Sequence, residues 1–363
     1  MKICFCTQNM APFRMKWMDE IAKVNEVHIY HLGEYEKGLN PNYISYEPTG
    51  AKIFLKRRKL FGKNIFQYTS ILKERPDLYL LDGYGFFGQQ LLILLLSILN
   101  IPFIMSIDGG FINKGESILK KIIKTFFISS ASAYLSTSEE TDNYIKYYGG
   151  EGKIMYRHYF SNLSEEYLVE HPLDAEHKNE LKSTLGLKNA FTVLSVGKLF
   201  KGKGFDLLLK AVKEVDLEIQ VILIGTECPL EYKDLLEELS DKVKVFSFCN
   251  SEALKKYYSA ADLFLLPTRS DVWGLVISEA MANAIPVVTT NMCLAGVAML
   301  PDDDIIPIDD VSSISRQINR YYEMSFEERT KIGKRNLDET KKYTISESVK
   351  NDICHFQHFL ESI

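Results

Sequence analysis

The segment SDVWGLVISEAMANAIPVV (residues 270–288) carries two acids, Asp271 and Glu279, with a glycine between them that opens a helix. The first amides of such a helix, at Gly274, Leu275 and Val276, have no acceptor within it. Together with the helix dipole they make an anion site. Glu279 lies about five residues further in, roughly 7 Å along the axis at 1.5 Å per residue. Asp271 stands ahead of the helix, on the other side of the anion site. A second stretch, SVGKLFKGKGFD (195–206), reads as a strand, a glycine-rich turn and a helix, with Lys198 and Lys203 flanking the turn and Lys201 between them. Cations beside glycine-relaxed backbone suit a diphosphate, because charge-assisted hydrogen bonds are the strong ones. A nucleoside diphosphate sugar has parts in matching order: a ribose diol for Glu279, a diphosphate for the amides and lysines, and a sugar for Asp271. Plainer alternatives stand beside this. Asp271 would be a helix cap, Glu279 a solvated helix residue and the basic turn purely structural. The apolar surroundings in ISEAMANA weigh against a solvated Glu279.

These residues need strands to carry them, and short apolar runs alternate with helical patterns along nearly the whole chain. Candidate strands in the first half are KICFCT (2–7), EVHIYHL (26–32), LYLLD (78–82), PFIMSI (102–107), AYLS (133–136) and KIMY (153–156). The second half offers FTVLSVG (191–197), QVILIG (220–225), KVKVFS (242–247), LFLLP (263–267) and PVVTT (286–290). Helical patterns such as FDLLLKAVKEV (205–215) and SEALKKYYSAA (251–261) fall between them. This alternation predicts parallel sheets with crossover helices. In such sheets ligands sit outside the carboxyl ends of the strands, where both chemistry-bearing stretches fall. The polar run 161–180 breaks the rhythm and reads as an interdomain connection, and 344–363 reads as an amphipathic helix. Two α/β Rossmann-like domains follow, residues 1–160 plus 345–363 and residues 161–344.

A length of 363 residues fits two cores. The net charge of −5 gives no reason to expect a nucleic-acid partner. The six cysteines show neither a disulfide framework nor a zinc pattern, so no metal and a reducing cytoplasm are expected, with Cys4 and Cys6 sharing one buried strand face. The run LLILLLSILNIPFIM (91–105) is shorter than the roughly 20 residues of a membrane span and contains Pro102, which predicts a buried helix leading into a strand.

The pair VGKLFKGKGFDLLLKA and PTRSDVWGLVISEAMANAIPVV resembles the family 4 glycosyltransferases, whose fold is called GT-B, and SSASAYLSTSEETDNYIKYYG is similar to that family's first domain. The resemblance is strong from about 195 to 290. It implies two Rossmann-like domains facing across a cleft, the C-terminal helix packing back on the first. It gives Lys198 and Lys203 to the donor diphosphate, Lys203 with a catalytic role, Glu279 to the ribose and Asp271 to the transferred sugar. The main chain at Phe248 and Cys249 would meet the nucleobase. It also implies retention of configuration without a metal or other cofactor. The first acid is Asp271 where the family more often has Glu, and the loop TQNMAPFRMKW (7–17) lacks the family's glycine pair, which leaves Arg14 as its candidate donor contact.

The first domain of such proteins takes the acceptor. Asp108, at the end of PFIMSIDGGFI, is the candidate contact to the sugar or the incoming hydroxyl; Asp-Gly-Gly is equally a turn signal. Two basic stretches interleaved with apolar residues, 52–66 and 113–128, suit either an amphipathic surface on anionic lipid or core-facing helices with solvated lysines. The first 170 residues carry 20 Lys and Arg against 18 Asp and Glu, a slight positive excess in an acidic chain. His355 and His358 read as surface or docking residues. The expectation is a glycosyltransferase using a nucleotide sugar and a glycan or lipid-linked acceptor in bacterial surface polysaccharide assembly. It would be cytoplasmic and peripheral on the inner membrane face. A nucleotide-sugar epimerase and a non-catalytic sugar-nucleotide-binding subunit are the alternatives.

Overall fold

The computed structural model describes residues 1–8, 10–32, 49–54, 66–225, 230–247 and 249–363. The chain divides into two units. Unit 1 is Met1–Asn162 with Thr344–Ile363, and unit 2 is Leu163–Tyr343.

Unit 1 holds a parallel sheet of β1 (Lys2–Thr7), β2 (Glu26–His31), β3 (Lys52–Phe54), β4 (Leu78–Asp82), β5 (Phe103–Ile107), β6 (Ala133–Ser136) and β7 (Ile154–Arg157), in the order β3-β2-β1-β4-β5-β6-β7. Unit 2 holds β8 (Phe191–Val196), β9 (Ile219–Gly225), β10 (Val243–Ser247), β11 (Leu263–Leu266), β12 (Val287–Thr290) and β13 (Ile305–Ile306), in the order β10-β9-β8-β11-β12-β13. Each order runs outward from the first strand in both directions, the doubly wound Rossmann arrangement. Its switch points fall between β1 and β4 and between β8 and β11. The central strands are apolar on both faces because helices cover both; β4, β5 and β11 are buried throughout.

Sequence and structure differ mainly at strand ends. Pro102 and Pro286 stay outside β5 and β12, since proline brings no N–H to a ladder. β3 and β13, two or three residues each on sheet edges, are too short to show an alternating pattern. Lys52–Phe54 pairs with His28–Tyr30, so the start of the basic stretch 52–66 is an edge strand, and residues 55–65 lie outside those described. The polar run 161–180 is not all connection. Asp174 accepts the His177 N–H at 2.9 Å and caps the helix Ala175–Thr184.

The C-terminal helix Ile345–Ser362 belongs to unit 1. Its buried Asp352 accepts from Trp17 Nε1 at 2.9 Å and faces His158 Nδ1 at 2.9 Å. His355 and His358 dock the same helix: His355 stacks on Tyr156 and approaches Arg157 O at 3.2 Å, and His358 Nδ1 lies 2.8 Å from the Tyr156 hydroxyl. Cys4 and Cys6 are buried on one face with their sulfurs 3.8 Å apart. Among the described residues no helix is long and apolar enough to cross a membrane; the apolar run forms the helix Phe87–Ile98, which leads into β5.

Candidate functional site

At the unit 2 switch point two loops emerge side by side. The first leaves β8 at Gly197, where Gly225 passes so closely that a Cβ on it would meet Gly197 O. It makes one tight turn at Lys201–Lys203 and enters the helix Phe205–Glu214 through Gly204, at φ +72°. The second leaves β11 at Pro267 and ends at Gly274, φ +96°, which opens the helix Leu275–Ala282. A Cβ at Gly204 would sit 1.8 Å from Pro267 O, so the two loops approach at a distance only glycine allows.

Arg269 locks them together. It donates to both carboxylate oxygens of Asp206 at 2.7 and 2.8 Å and to Asp309, and its own N–H donates to Gly202 O at 2.8 Å. Burial pushes the Asp206 carboxyl up, but the bidentate guanidinium outweighs it and holds the group below its usual range. Arg269 was not singled out in the sequence, where it is a lone cation in a loop with both acid partners far away along the chain.

Lys203 pairs with Asp271 across the two loops, each side chain about one-fifth exposed. Lys198 stands exposed at the mouth of the basic turn. Asp271 does not cap the following helix, whose N-terminus receives no side-chain bond. Its backbone is stitched instead to the next segment, through Asp271 N–H to Met292 O at 2.8 Å and Leu294 N–H to Asp271 O at 3.4 Å. A Cβ at Gly274 would lie 3.5 Å from the Asp271 carboxylate and collide with Cys293 Sγ. The amides of Gly274, Leu275 and Val276 precede the first helical bond, from Ile277 N–H to Gly274 O at 2.9 Å. The arrangement is a cation, a carboxylate and a helix N-terminus converging on one edge of the sheet.

Glu279 is half-buried and accepts a hydrogen bond from the Tyr258 hydroxyl at 3.1 Å. Tyr258 is fully buried, and burial with the neighbouring Glu279 charge pushes its hydroxyl well above the usual range, so it remains a donor. Asn283 Nδ2 donates to Glu279 O at 2.8 Å and is itself held by Ser259. Glu279 is thus a positioned acid rather than a solvated one, and Tyr258 is its positioning residue. Cys249 lies just ahead of the helix Ser251–Ala260 that carries Tyr258, and Phe248 lies outside the described residues.

Unit 1 gathers a second polar cluster at the carboxyl ends of β1, β4 and β5. Arg14 is buried, pairs with Asp108 and lies 3.6 Å from Asp82 Oδ2. Thr7 Oγ1 and the Gln8 N–H donate to Asp82 at 2.5 and 2.9 Å, and Gln89 donates to Asp82 O at 2.8 Å. Four buried polar atoms of this one cluster have no hydrogen-bond partner: Gln8 Oε1, Arg14 Nε, Gln89 Oε1 and Asp108 Oδ1. Such atoms are rare in a folded chain, and four of them gather in this one buried cluster. Arg14 and Asp108 come together here in unit 1. Asp82, read only as a strand end, was missed.

Burial raises the Asp82 carboxyl to about 6, with Arg14 and Thr7 opposing the rise. Between the ordinary value of 3.8 and about 6, folded Asp82 holds a proton that the unfolded chain has released. Stability therefore falls as pH rises through that window, by on the order of 3 kcal/mol for this one group. Denaturant unfolding of wild type and Asp82→Asn at pH 4 and pH 6.5 checks this. Wild type should lose stability relative to the variant at the higher pH, and an unchanged difference would exclude Asp82 as the titrating group.

The strand orders and the paired loops at the unit 2 switch point place the chain in the GT-B fold class. Residues 177–338, within unit 2, match the family model of glycosyl transferases group 1. The chain is 35% identical over 114 residues to a glycosyltransferase of Haemophilus influenzae, covering 30% of this chain and 32% of that one. It is 28% identical over 120 residues to the lipopolysaccharide glucosyltransferase WaaG of Escherichia coli K12, covering 32% and 31%. The matches thus span about a third of the length of these curated relatives. HepE of Anabaena in complex with UDP superposes over 100% of both chains at a TM-score of 0.75 and 17% identity, a likeness of fold.

Proposed function

We propose that the chain transfers a sugar, with retention of anomeric configuration, from a nucleoside diphosphate sugar to a glycan or lipid-linked acceptor in bacterial surface polysaccharide assembly. The observation that carries this reading is the convergence of Lys203, Asp271 and the Gly274 helix N-terminus at the unit 2 switch point, with Glu279 held beyond them by Tyr258. Lys198, Lys203 and the amides of Gly274, Leu275 and Val276 receive the diphosphate, Glu279 the ribose diol and Asp271 the sugar. As the bond from the anomeric carbon to the β-phosphate oxygen breaks, negative charge grows on the departing diphosphate. Fixed cations and amides aimed at that charge lower the barrier without a metal. The acceptor oxygen bonds to the anomeric carbon on the face that the diphosphate leaves, and its proton passes to the departing phosphate. UDP is the donor nucleotide favoured by the fold neighbour that holds it. Lipopolysaccharide, named for WaaG, supports an acceptor of surface-glycan type. In unit 1, Asp108, partly exposed and paired with the buried Arg14, is the contact offered to a sugar acceptor.

Proton NMR of the anomeric signal during turnover of UDP-α-glucose with a glycan acceptor tests the reading. An α-linked product with release of UDP is expected. A β-linked product would overturn retention, and a product that is still a nucleotide sugar would indicate an epimerase.

A further inference from the structure

The helix Ile118–Ser129 of unit 1 turns its apolar side chains the wrong way for a soluble protein. Ile118, Leu119, Ile122, Ile123 and Phe126 are between 43% and 78% exposed, and its buried apolar residues are Phe127 and Ile128 at the C-terminal end. An amphipathic helix of a globular domain ordinarily buries such a stripe, and contiguous exposed apolar surface marks an interaction site. At about 100° per residue the five side chains fill an arc of about 140°, and Lys120 and Lys121 stand about 60° beyond its two borders. Lys124, on the opposite side, is committed to Glu116 at 2.7 Å and the Tyr148 hydroxyl at 3.2 Å, while Lys121 donates to the Tyr147 hydroxyl at 3.2 Å at the surface. Residues 113–129 carry four lysines against the single acid Glu116.

We infer that this helix seats unit 1 on an anionic lipid bilayer, with Ile118, Leu119, Ile122, Ile123 and Phe126 entering the boundary between headgroups and acyl chains. The apolar arc lies in the hydrocarbon edge, and the bordering lysines extend their stems along it to place their amines among lipid phosphates. A second copy of the same helix would cover the arc but would set lysine against lysine along both borders, where like charges oppose docking. A flat anionic surface satisfies both borders at once. The inference rests on this face alone and stands apart from the sugar-transfer reading.

Sedimentation of the full chain with vesicles tests it. At low salt the protein should pellet with vesicles containing phosphatidylglycerol and stay in solution with phosphatidylcholine alone. Binding should weaken as physiological salt shortens screening to about 8 Å. Lys120→Gln with Lys121→Gln should weaken binding about thirty-fold, the conversion of about 1 kcal/mol per basic residue near an anionic surface. Ile118→Ser with Leu119→Ser and Ile122→Ser should abolish it. All these positions are exposed, and an unchanged melting temperature confirms that the variants fold. Equal recovery in the supernatant with both lipids at low salt would overturn the inference. So would a wild-type dimer in sedimentation equilibrium that the triple serine variant converts to monomer.

Discussion

Lys203→Ala lowers kcat by about 10²–10³, the loss typical when one preorganised donor to a developing charge is removed, while KM for the donor changes far less. The split follows from where the charge appears. In the proposed reaction the amine faces a diphosphate whose charge grows as the sugar leaves, so its interaction is stronger in the transition state than in the ground state. Lys203 also pairs with Asp271, and its removal leaves that partly buried carboxylate without its cation. Lys203→Gln, which keeps a donor without the charge, separates the two effects: a large kcat loss in both variants points to charge. Steady-state kinetics with release of nucleoside diphosphate as the readout decides, and near-normal kcat in both variants would make the loop structural.

Gly204→Ala costs at least about 3 kcal/mol of stability and takes activity with it. Two penalties combine. A left-handed conformation costs a residue with a side chain roughly 1–2 kcal/mol. The added methyl would also fall 1.8 Å from Pro267 O, backbone that cannot yield as a side-chain tip would. Relief requires the loop from β8 to part from the loop after β11, which would break the Arg269 bridge to Asp206 and separate Lys203 from Asp271. Urea unfolding measures the loss, and a change below about 1 kcal/mol would mean that the two loops are not locked. Gly202→Ala in the same turn first meets the Phe200 ring, whose exposed side chain can swing away, and should be much milder.

What the sequence shows and what it hides divides by distance along the chain. The glycine-basic turn at 197–204 and the Asp271-to-Glu279 spacing are local patterns, and strand-turn-helix periodicity places both at the carboxyl edge of a sheet. The contacts that make them a site join residues far apart. Arg269 reaches Asp206 across 63 positions and Tyr258 reaches Glu279 across 21, so neither shows in a single stretch. Asp82 looks like the polar end of LYLLD until Thr7, 75 positions away, donates to it. Arg14, singled out because its loop lacks glycine, is drawn inward by Asp108 and Asp82, a pairing that exists only once β4 and β5 lie side by side. The outward face of Ile118–Ser129 was equally hidden. Periodicity identifies an amphipathic helix, but only packing shows which of its sides meets the core.

Calorimetric titration with UDP and UDP-glucose reads out whether unit 2 seats a nucleoside diphosphate sugar with its ribose on Glu279. Wild type should bind both. A ligand at 100 times its dissociation constant would add about 2.7 kcal/mol of stability, an independent check by thermal unfolding. Glu279→Ala removes a charged acceptor worth about 1.5–3 kcal/mol, so affinity should fall roughly 10- to 150-fold. Tyr258→Phe, which removes one donor to the carboxylate without deleting it, should show a smaller loss in the same direction. Undiminished binding by Glu279→Ala would remove the ribose from Glu279, and no binding of UDP-, GDP- or ADP-sugars by wild type would remove the nucleotide sugar from unit 2.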